Sequence, residues 1–414
     1  MIGDLIPRHV GDVISKATNS FSVIIVTGAR QVGKSTLLRT ISGDASYYTL
    51  DSLTEYDAAI NSPEEYIETR NIPAIIDEIQ YAPNLFRAMK SVVDEAKFKG
   101  NRKTLFLATG SQRFPMIKGA SESLAGRAYT IEMLGVSQRE IERTDFKVPF
   151  TPTKKYVDNR QTAKHLPESN TVWDRIFRGD MPELAAIPAL DSHMFYEAYT
   201  NTYIRRDVRD LSQVGSLTLF NRFMQVLATL CGKQLNKAAI SRELDISQPT
   251  VDRWLSILEA SGIIYLLPPY YRNIKKRLVK SPKLYFTNTG LACHLCGIAS
   301  SSVLADHAMA GHFFENYTII EIVKSYLNHS GSYPELYFYR DSHGKEIDLL
   351  VATPEGLHPI EIKASRSPRT QDTASFAFIE EVLNEKRLSG AVISGHEEIL
   401  PLGKNDLAIP ISFL

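Results

Sequence analysis

The chain has 414 residues, 43% hydrophobic and 23% charged, and its 47 basic and 47 acidic side chains leave no formal net charge. That length predicts two to four domains of soluble composition, and the charge balance excludes a whole-chain attraction to polyanions, so any nucleic-acid contact must be local. No apolar run approaches the roughly 20 residues of a membrane span, MIGDLIPRHV lacks a secretory pattern, and three cysteines argue against a disulfide framework; a soluble, cytoplasmic chain with no membrane partner is expected.

Residues 22–36 read SVIIVTGARQVGKST. The apolar run predicts a buried strand of a parallel sheet. It enters Gly28, Ala29, Arg30, Gln31, Val32, Gly33, Lys34 and Ser35, which match G-x-x-x-x-G-K-[ST] at every fixed position, and Thr36 opens the helix TLLRTI. Glycines in such a loop let backbone N–H groups turn inward around phosphates. Lys34 adds a point charge, and Ser35 offers a hydroxyl to Mg²⁺. ATP with Mg²⁺ is the expected ligand pair.

The stretch IPAIIDEIQ at 72–80 supplies an apolar strand ending in acids. Asp77 is placed to hold Mg²⁺, and Glu78 to polarise the attacking water. TLFLATGS at 104–111 is another buried strand, whose polar end gives Ser111 or Gln112 as a sensor of the terminal phosphate. This order predicts a doubly wound α/β nucleotide domain over 1–140. Such hydrolases set an arginine against developing negative charge, commonly from a neighbouring subunit of an oligomer. The candidates are Arg127 in SLAGRAYTIEM and Arg205, Arg206 and Arg209 in YIRRDVRD.

Residues 141–170 are polar and aperiodic and read as a boundary or mobile insertion, followed by a helical lid to about 212. QLNKAAISRELDISQPTVDRWLSILEASGIIYLL, 234–267, then reads as two helices joined by DIS and followed by a strand. Ser247 is an N-cap, Pro249 sits in the first turn, and Val251, Leu255 and Leu258 face a core. This predicts a winged helix-turn-helix over 213–283. Lys233 to Lys283 holds ten Lys and Arg against four Asp and Glu. The cluster Arg272, Lys275, Lys276, Arg277 and Lys280 suits the phosphates of DNA. The alternative is a winged helix used for a protein partner, which Asp252 on the exposed helix face favours. The lone Cys293-His-Leu-Cys296 reads as buried helix cysteines.

GHFFENYTIIEIVKSYL, 311–327, predicts a helix that is apolar nearly all round and therefore buried. Glu315 lies in it and needs a partner. EIDLLVAT carries Asp348, and PIEIK carries Glu361 and Lys363 on one strand face with Ile360 and Ile362 on the other. Acids on adjacent strand ends, a lysine and a helix acid can hold Mg²⁺ and activate a water. The alternative is a sheet-rim salt bridge between Lys363 and one acid.

GARQVGKST, IIDEIQ, TGSQ, ESLAGR, the YIRRDVRDL segment and KSPKLYFTNTG…FFEN…EIDLL…IEIKAS together resemble the prokaryotic AAA-type ATPases that carry a C-terminal DUF4143 domain. The resemblance covers nearly the whole chain. It implies an ATP-hydrolysing core, a winged helix and, over 284–414, a domain similar to PD-(D/E)XK nucleases. Gly33, Lys34, Ser35, Asp77 and Glu78 would then bind and hydrolyse nucleotide, and Glu315, Asp348, Glu361 and Lys363 would fall on the nuclease-like core. The expected function is an ATPase associated with DNA, with turnover coupled to that domain. The alternatives are a nucleotide-switched scaffold with an inactive nuclease fold, and a winged-helix transcription regulator.

Overall fold

The computed structural model describes residues 5–101, 103–111, 123–163, 171–204, 216–273, 280–341 and 344–414. Among these residues the strands form sheets of five, six and two. The first sheet uses β1 (Val23–Thr27), β2 (Ser46–Thr49), β3 (Ala74–Asp77), β4 (Phe106–Gly110) and β5 (Ala128–Glu132), in the order β2-β3-β4-β1-β5. Every pairing in it is parallel. β1 is buried along its whole length because helices cover both faces. Ile24 and Val26 enter the core shared with α1 (Val10–Ala17) and α2 (Lys34–Ile41), while Val23 and Ile25 enter the core under α3 (Leu85–Phe98). The register pairs Thr27 with Gly110 and Thr49 with Asp77, so the carboxyl ends of these strands form one edge. Ligands of open α/β sheets bind at that edge, beside the point where strand order reverses.

The described part of the polar segment, 141–163, is packed, which differs from the boundary or mobile insertion its composition predicts; 164–170 lie outside the described residues. Phe146, Phe150, Tyr156 and Val157 are buried, and Arg160 is wholly buried against Glu142 at 3.3 Å. Arg139 donates to the Tyr156 hydroxyl at 2.6 Å and to the Leu414 carbonyl at 2.7 Å. The arginines that make the segment look solvated are its internal donors, so composition misleads here. Helices at 172–178 and 192–199 follow, with α4 (Pro182–Ala186) between them.

Next come α5 (Leu217–Thr229), α6 (Lys237–Leu244), α7 (Gln248–Ala260) and an antiparallel hairpin of β6 (Ile264–Leu267) and β7 (Lys283–Phe286). The Ser247 side chain caps α7 by accepting from the Thr250 amide, and Val251, Trp254, Leu255 and Leu258 face inward. On the outer face, Asp252 pairs with Lys237 at 2.6 Å. Cys293 is buried and Cys296 half-buried in and beside α8 (Thr289–Leu295).

α9 (Ala310–Ser330) is buried on most sides, as its sequence predicts. It packs on α1 and on the six-stranded sheet, which runs β12-β13-β11-β10-β9-β8. These strands are β8 (Leu336–Arg340), β9 (Glu346–Thr353), β10 (Gly356–Lys363), β11 (Gly390–Ser394), β12 (Leu400–Pro401) and β13 (Asp406–Pro410). β8, β9 and β10 pair antiparallel, whereas β10, β11 and β13 pair parallel. The Lys324 ammonium in α9 reaches Asp180 at 2.6 Å, Glu321 at 2.7 Å and the Val136 carbonyl at 3.1 Å. This buried knot joins the first sheet, the segment before α4 and the C-terminal unit. Among the described residues no helix is long and apolar enough to cross a membrane.

Candidate functional site

The loop between β1 and α2 is held open by two glycines. Gly28 has φ +143°, and a Cβ there would meet the Met133 carbonyl oxygen at 2.1 Å, so no other residue fits. Gly33 has φ +92° and caps α2, whose first residue is Lys34. The Lys34 ammonium is buried and donates to the Gly28 and Ala29 carbonyls at 3.0 and 2.8 Å, closing the loop on itself.

Asp77 ends β3 beside this loop. It accepts from the Ser35 hydroxyl at 2.6 Å and from the Tyr47 phenol at 2.6 Å, and Thr109 at the end of β4 also donates to it. Burial and the Asp77 carboxylate push the Tyr47 phenol well up, so it stays a donor. Two hard oxygen donors, one hydroxyl and one carboxylate, fit Mg²⁺, which keeps most of its waters and takes few protein ligands.

Glu78 adopts φ +57°, a left-handed conformation that costs a non-glycine residue about 1 kcal/mol or more. That turn sends its carboxylate back across the strand ends. There the Gln80 amide donates to it, and the Arg30 guanidinium stands 3.9 Å away. Gln80 also donates to the Ser111 hydroxyl at 3.3 Å, and Arg30 to the Tyr81 hydroxyl at 2.8 Å. Glu78 is therefore held by a neutral amide and a guanidinium, the latter from the phosphate loop itself.

A cleft of about 870 Å³ opens over the loop. Gln31, Gly33, Lys34, Ser35, Thr36 and Glu78 line its polar end, while Ile6, Pro7, Pro182 and Ile187 line its apolar end. Arg8 lies between them and donates to the carbonyls of Val32 and Leu134, both at 2.7 Å. On the other side of the loop, Ala29 and Val32 meet Gly262 and Thr287 around the hairpin. Arg8, Tyr47, Thr109 and Gln80 are given no role by the sequence, and only the fold brings them to the site.

Arg127 lies apart. It forms a forked pair with Asp94 on α3, at 2.5 and 2.9 Å, and does not line the cleft. Gln112, Arg205, Arg206, Arg209, Lys275, Lys276 and Arg277 lie outside the described residues.

The C-terminal acids gather along a rim but do not close on one point. Glu315 in α9 accepts from Lys283 at 2.9 Å and from the Tyr285 hydroxyl at 2.5 Å, both on β7. The β9–β10 ladder ends at Leu349 and Ile360, and β9 has an irregular register opposite β8 at the same place. Asp348 stands at this fork and accepts from the Ile362 amide at 2.8 Å. Lys363 bridges Glu361 at 2.8 Å. Ile360 and Ile362 face the core shared with α9, so alternation turns Glu361 and Lys363 to the opposite face. Burial and then Glu315 push the Asp348 carboxyl well up, against the pull of Lys283; burial and then Asp348 push Glu361 up, against Lys363. Among the described residues no three acidic, histidine or cysteine side chains are placed to hold a metal ion. The donor set that could fit Mg²⁺ at this rim is tied in part to lysines, a tyrosine hydroxyl and an amide, while Glu361 Oε2 is buried without a hydrogen-bond partner among the described residues.

The family profile described as "AAA domain" matches residues 20–142. Two described as domains of unknown function, DUF8612 and DUF4143, match 169–302 and 310–414. The DUF8612 match spans both the helices at 172–199 and the helix-hairpin unit. An uncharacterized protein of Mycobacterium tuberculosis is 27% identical over 406 residues, 97% of this chain and 83% of that protein. One of Methanocaldococcus jannaschii is 22% identical over 293 residues, 64% of this chain and 60% of its own. Among solved structures, a Walker-type ATPase of Pyrococcus abyssi is similar at 14% identity and TM-score 0.45, covering 70% of this chain and 96% of that one. The Aeropyrum pernix Orc1 protein in complex with DNA follows at 10% identity and TM-score 0.26, covering 72% and 95%. The chain is similar to AAA-domain proteins over its first sheet and to DUF4143 proteins over its last, and its first sheet is all-parallel with the phosphate loop between β1 and α2.

Proposed function

We propose that the chain binds and hydrolyses ATP with Mg²⁺ and uses the nucleotide state to control a winged helix that meets DNA. The observation that carries this is the contact of Ser35 with Asp77 at the end of a complete phosphate loop. The loop amides would cradle the phosphates, and Lys34 would exchange the Gly28 and Ala29 carbonyls for phosphate oxygens. Ser35 and Asp77 would hold Mg²⁺, which neutralises developing charge on the transferring phosphoryl group. Glu78 takes the role of water activator, and Ser111 that of a polar partner behind it. The arginine that completes such a site is open among Arg127, Arg205, Arg206 and Arg209.

The DNA part rests on the charge excess from Lys233 to Lys283 and on the outward face of α7, where Gln248, Arg253 and Ser256 are exposed. The experiment is phosphate release by the purified chain with ATP and Mg²⁺, with and without duplex DNA. Release that depends on Lys34 and changes with DNA supports both parts. Release unaffected by DNA at low salt removes the DNA part, and no release removes the hydrolysis.

A second reading is a nucleotide-switched scaffold whose C-terminal unit is a nuclease-like fold without cleavage. The bridge between Lys363 and Glu361 favours it, because that is the arrangement of a structural rim pair. Mg²⁺-dependent cleavage of linear DNA, abolished by Asp348→Ala with ATP hydrolysis spared, would instead support coupling to a nuclease.

A further inference from the structure

Lys283 is the second, separate feature of the acid rim. It starts β7, the hairpin strand that follows the basic stretch, and its side chain is only 4% exposed. The ammonium lies 2.9 Å from Glu315 of α9 and 2.5 Å from Glu346 of β9, and stands over the Phe338 ring of β8 at 5.6 Å. Three elements of the C-terminal unit therefore converge on one cation delivered from the hairpin. Tyr285, two residues on and on the same strand face, donates to the same Glu315 oxygen.

Several carboxylates at a half-buried rim require compensating positive charge, because an unpaired buried carboxylate costs several kcal/mol. A divalent ion would supply it through a shell of oxygens, as the nuclease resemblance implies. Here at least one oxygen of each carboxylate is engaged otherwise, while the second Glu361 oxygen, Oε2, is buried without a hydrogen-bond partner among the described residues. Glu315 is held by Lys283 and Tyr285, Glu346 by Lys283 with Arg340 at 3.6 Å, Asp348 by the Ile362 amide, and Glu361 by Lys363.

We propose that Lys283 takes the place of a metal ion in this rim, as a tethered cation that locks the hairpin onto the C-terminal sheet. The consequence deepens the scaffold reading: the rim is a joint, through which movement of the hairpin is passed to the C-terminal unit. The joint stands whether or not the phosphate loop hydrolyses ATP.

The test uses the full chain without nucleotide, read by thermal unfolding and by Mn²⁺ binding from the free-ion EPR signal. Wild type and Asp348→Asn take up the same amount of Mn²⁺. Lys283→Met unfolds several degrees below wild type, and adding Glu315→Gln to it recovers part of the loss, because the unpaired carboxylate is removed with its partner. Should Lys283→Met fail to fold, Glu346→Gln removes one contact of the same ammonium from a more exposed partner and lowers the unfolding temperature by a smaller amount. Mn²⁺ uptake by wild type that is lost in Asp348→Asn overturns the proposal. So does Lys283→Met, or in its place Glu346→Gln, unfolding at the wild-type temperature, or a failure of Glu315→Gln to recover any of the loss. Loss of ATP hydrolysis in a parallel assay would concern the phosphate loop alone.

Discussion

The Ser35 hydroxyl donates to the Asp77 carboxylate across 2.6 Å, joining residues 42 positions apart. The pair forms because α2 starts directly after the phosphate loop and β3 ends at the same sheet edge as β1, with β4 between them. Tyr47 holds the other Asp77 oxygen from β2. Tyr47→Phe should lower Mg²⁺ affinity in the presence of ATP by roughly 10–100-fold, the usual range for partners that orient a metal ligand. A Mg²⁺ titration of ATP binding checks it, and an unchanged midpoint refutes the role.

Lys34→Ala should lose ATP binding, measured with a fluorescent ATP analogue. The ammonium lies inside the loop already, on the Gly28 and Ala29 carbonyls. Undiminished affinity in that variant would exclude the loop as the nucleotide site.

Glu78→Gln should bind ATP as wild type does and turn it over about 10²–10⁴-fold more slowly, since a general base is lost while shape is kept. Its left-handed backbone is unchanged by the swap. Turnover that survives assigns the water to another residue.

Reversing Lys275, Lys276 and Arg277 to Glu should weaken duplex DNA binding across sequences and reduce the dependence of affinity on salt. Binding curves at several salt concentrations decide it. Identical curves before and after the change favour the scaffold reading.

Asp348 gives a pH signature. Its folded pKa is raised to about 7, chiefly by burial and then by Glu315. An unfolded aspartate titrates near roughly 4. The folded state therefore binds the proton more tightly, and stability present below that lower value is lost as pH rises through the interval to about 7. Asp348→Asn should remove this loss, unfolding above wild type at pH 8 and close to it at pH 4. Its side-chain oxygen still accepts from the Ile362 amide. A variant that gains nothing between those pH values would show that Asp348 is not crowded.

The phosphate loop, the acid pair at 77–78 and the buried nature of α9 were legible in the sequence because each is set by local order. A loop glycine, a strand end and an apolar helix need only their neighbours along the chain. Glu361 and Lys363 share a face by the same local rule. What the fold alone decided is which distant groups meet. Tyr47 and Thr109 reach Asp77 because parallel strands align their ends. The segment holding Phe146 and Arg160 is buried although its composition is polar, since its arginines donate to carbonyls of the chain's last residues. Lys283 closes the basic stretch that begins at Lys233 and is counted there in its charge excess. Packing of the hairpin on α9 and β9 surrounds it instead with Glu315 and Glu346, because buried carboxylates draw the nearest cation into the interface wherever the chain carries it.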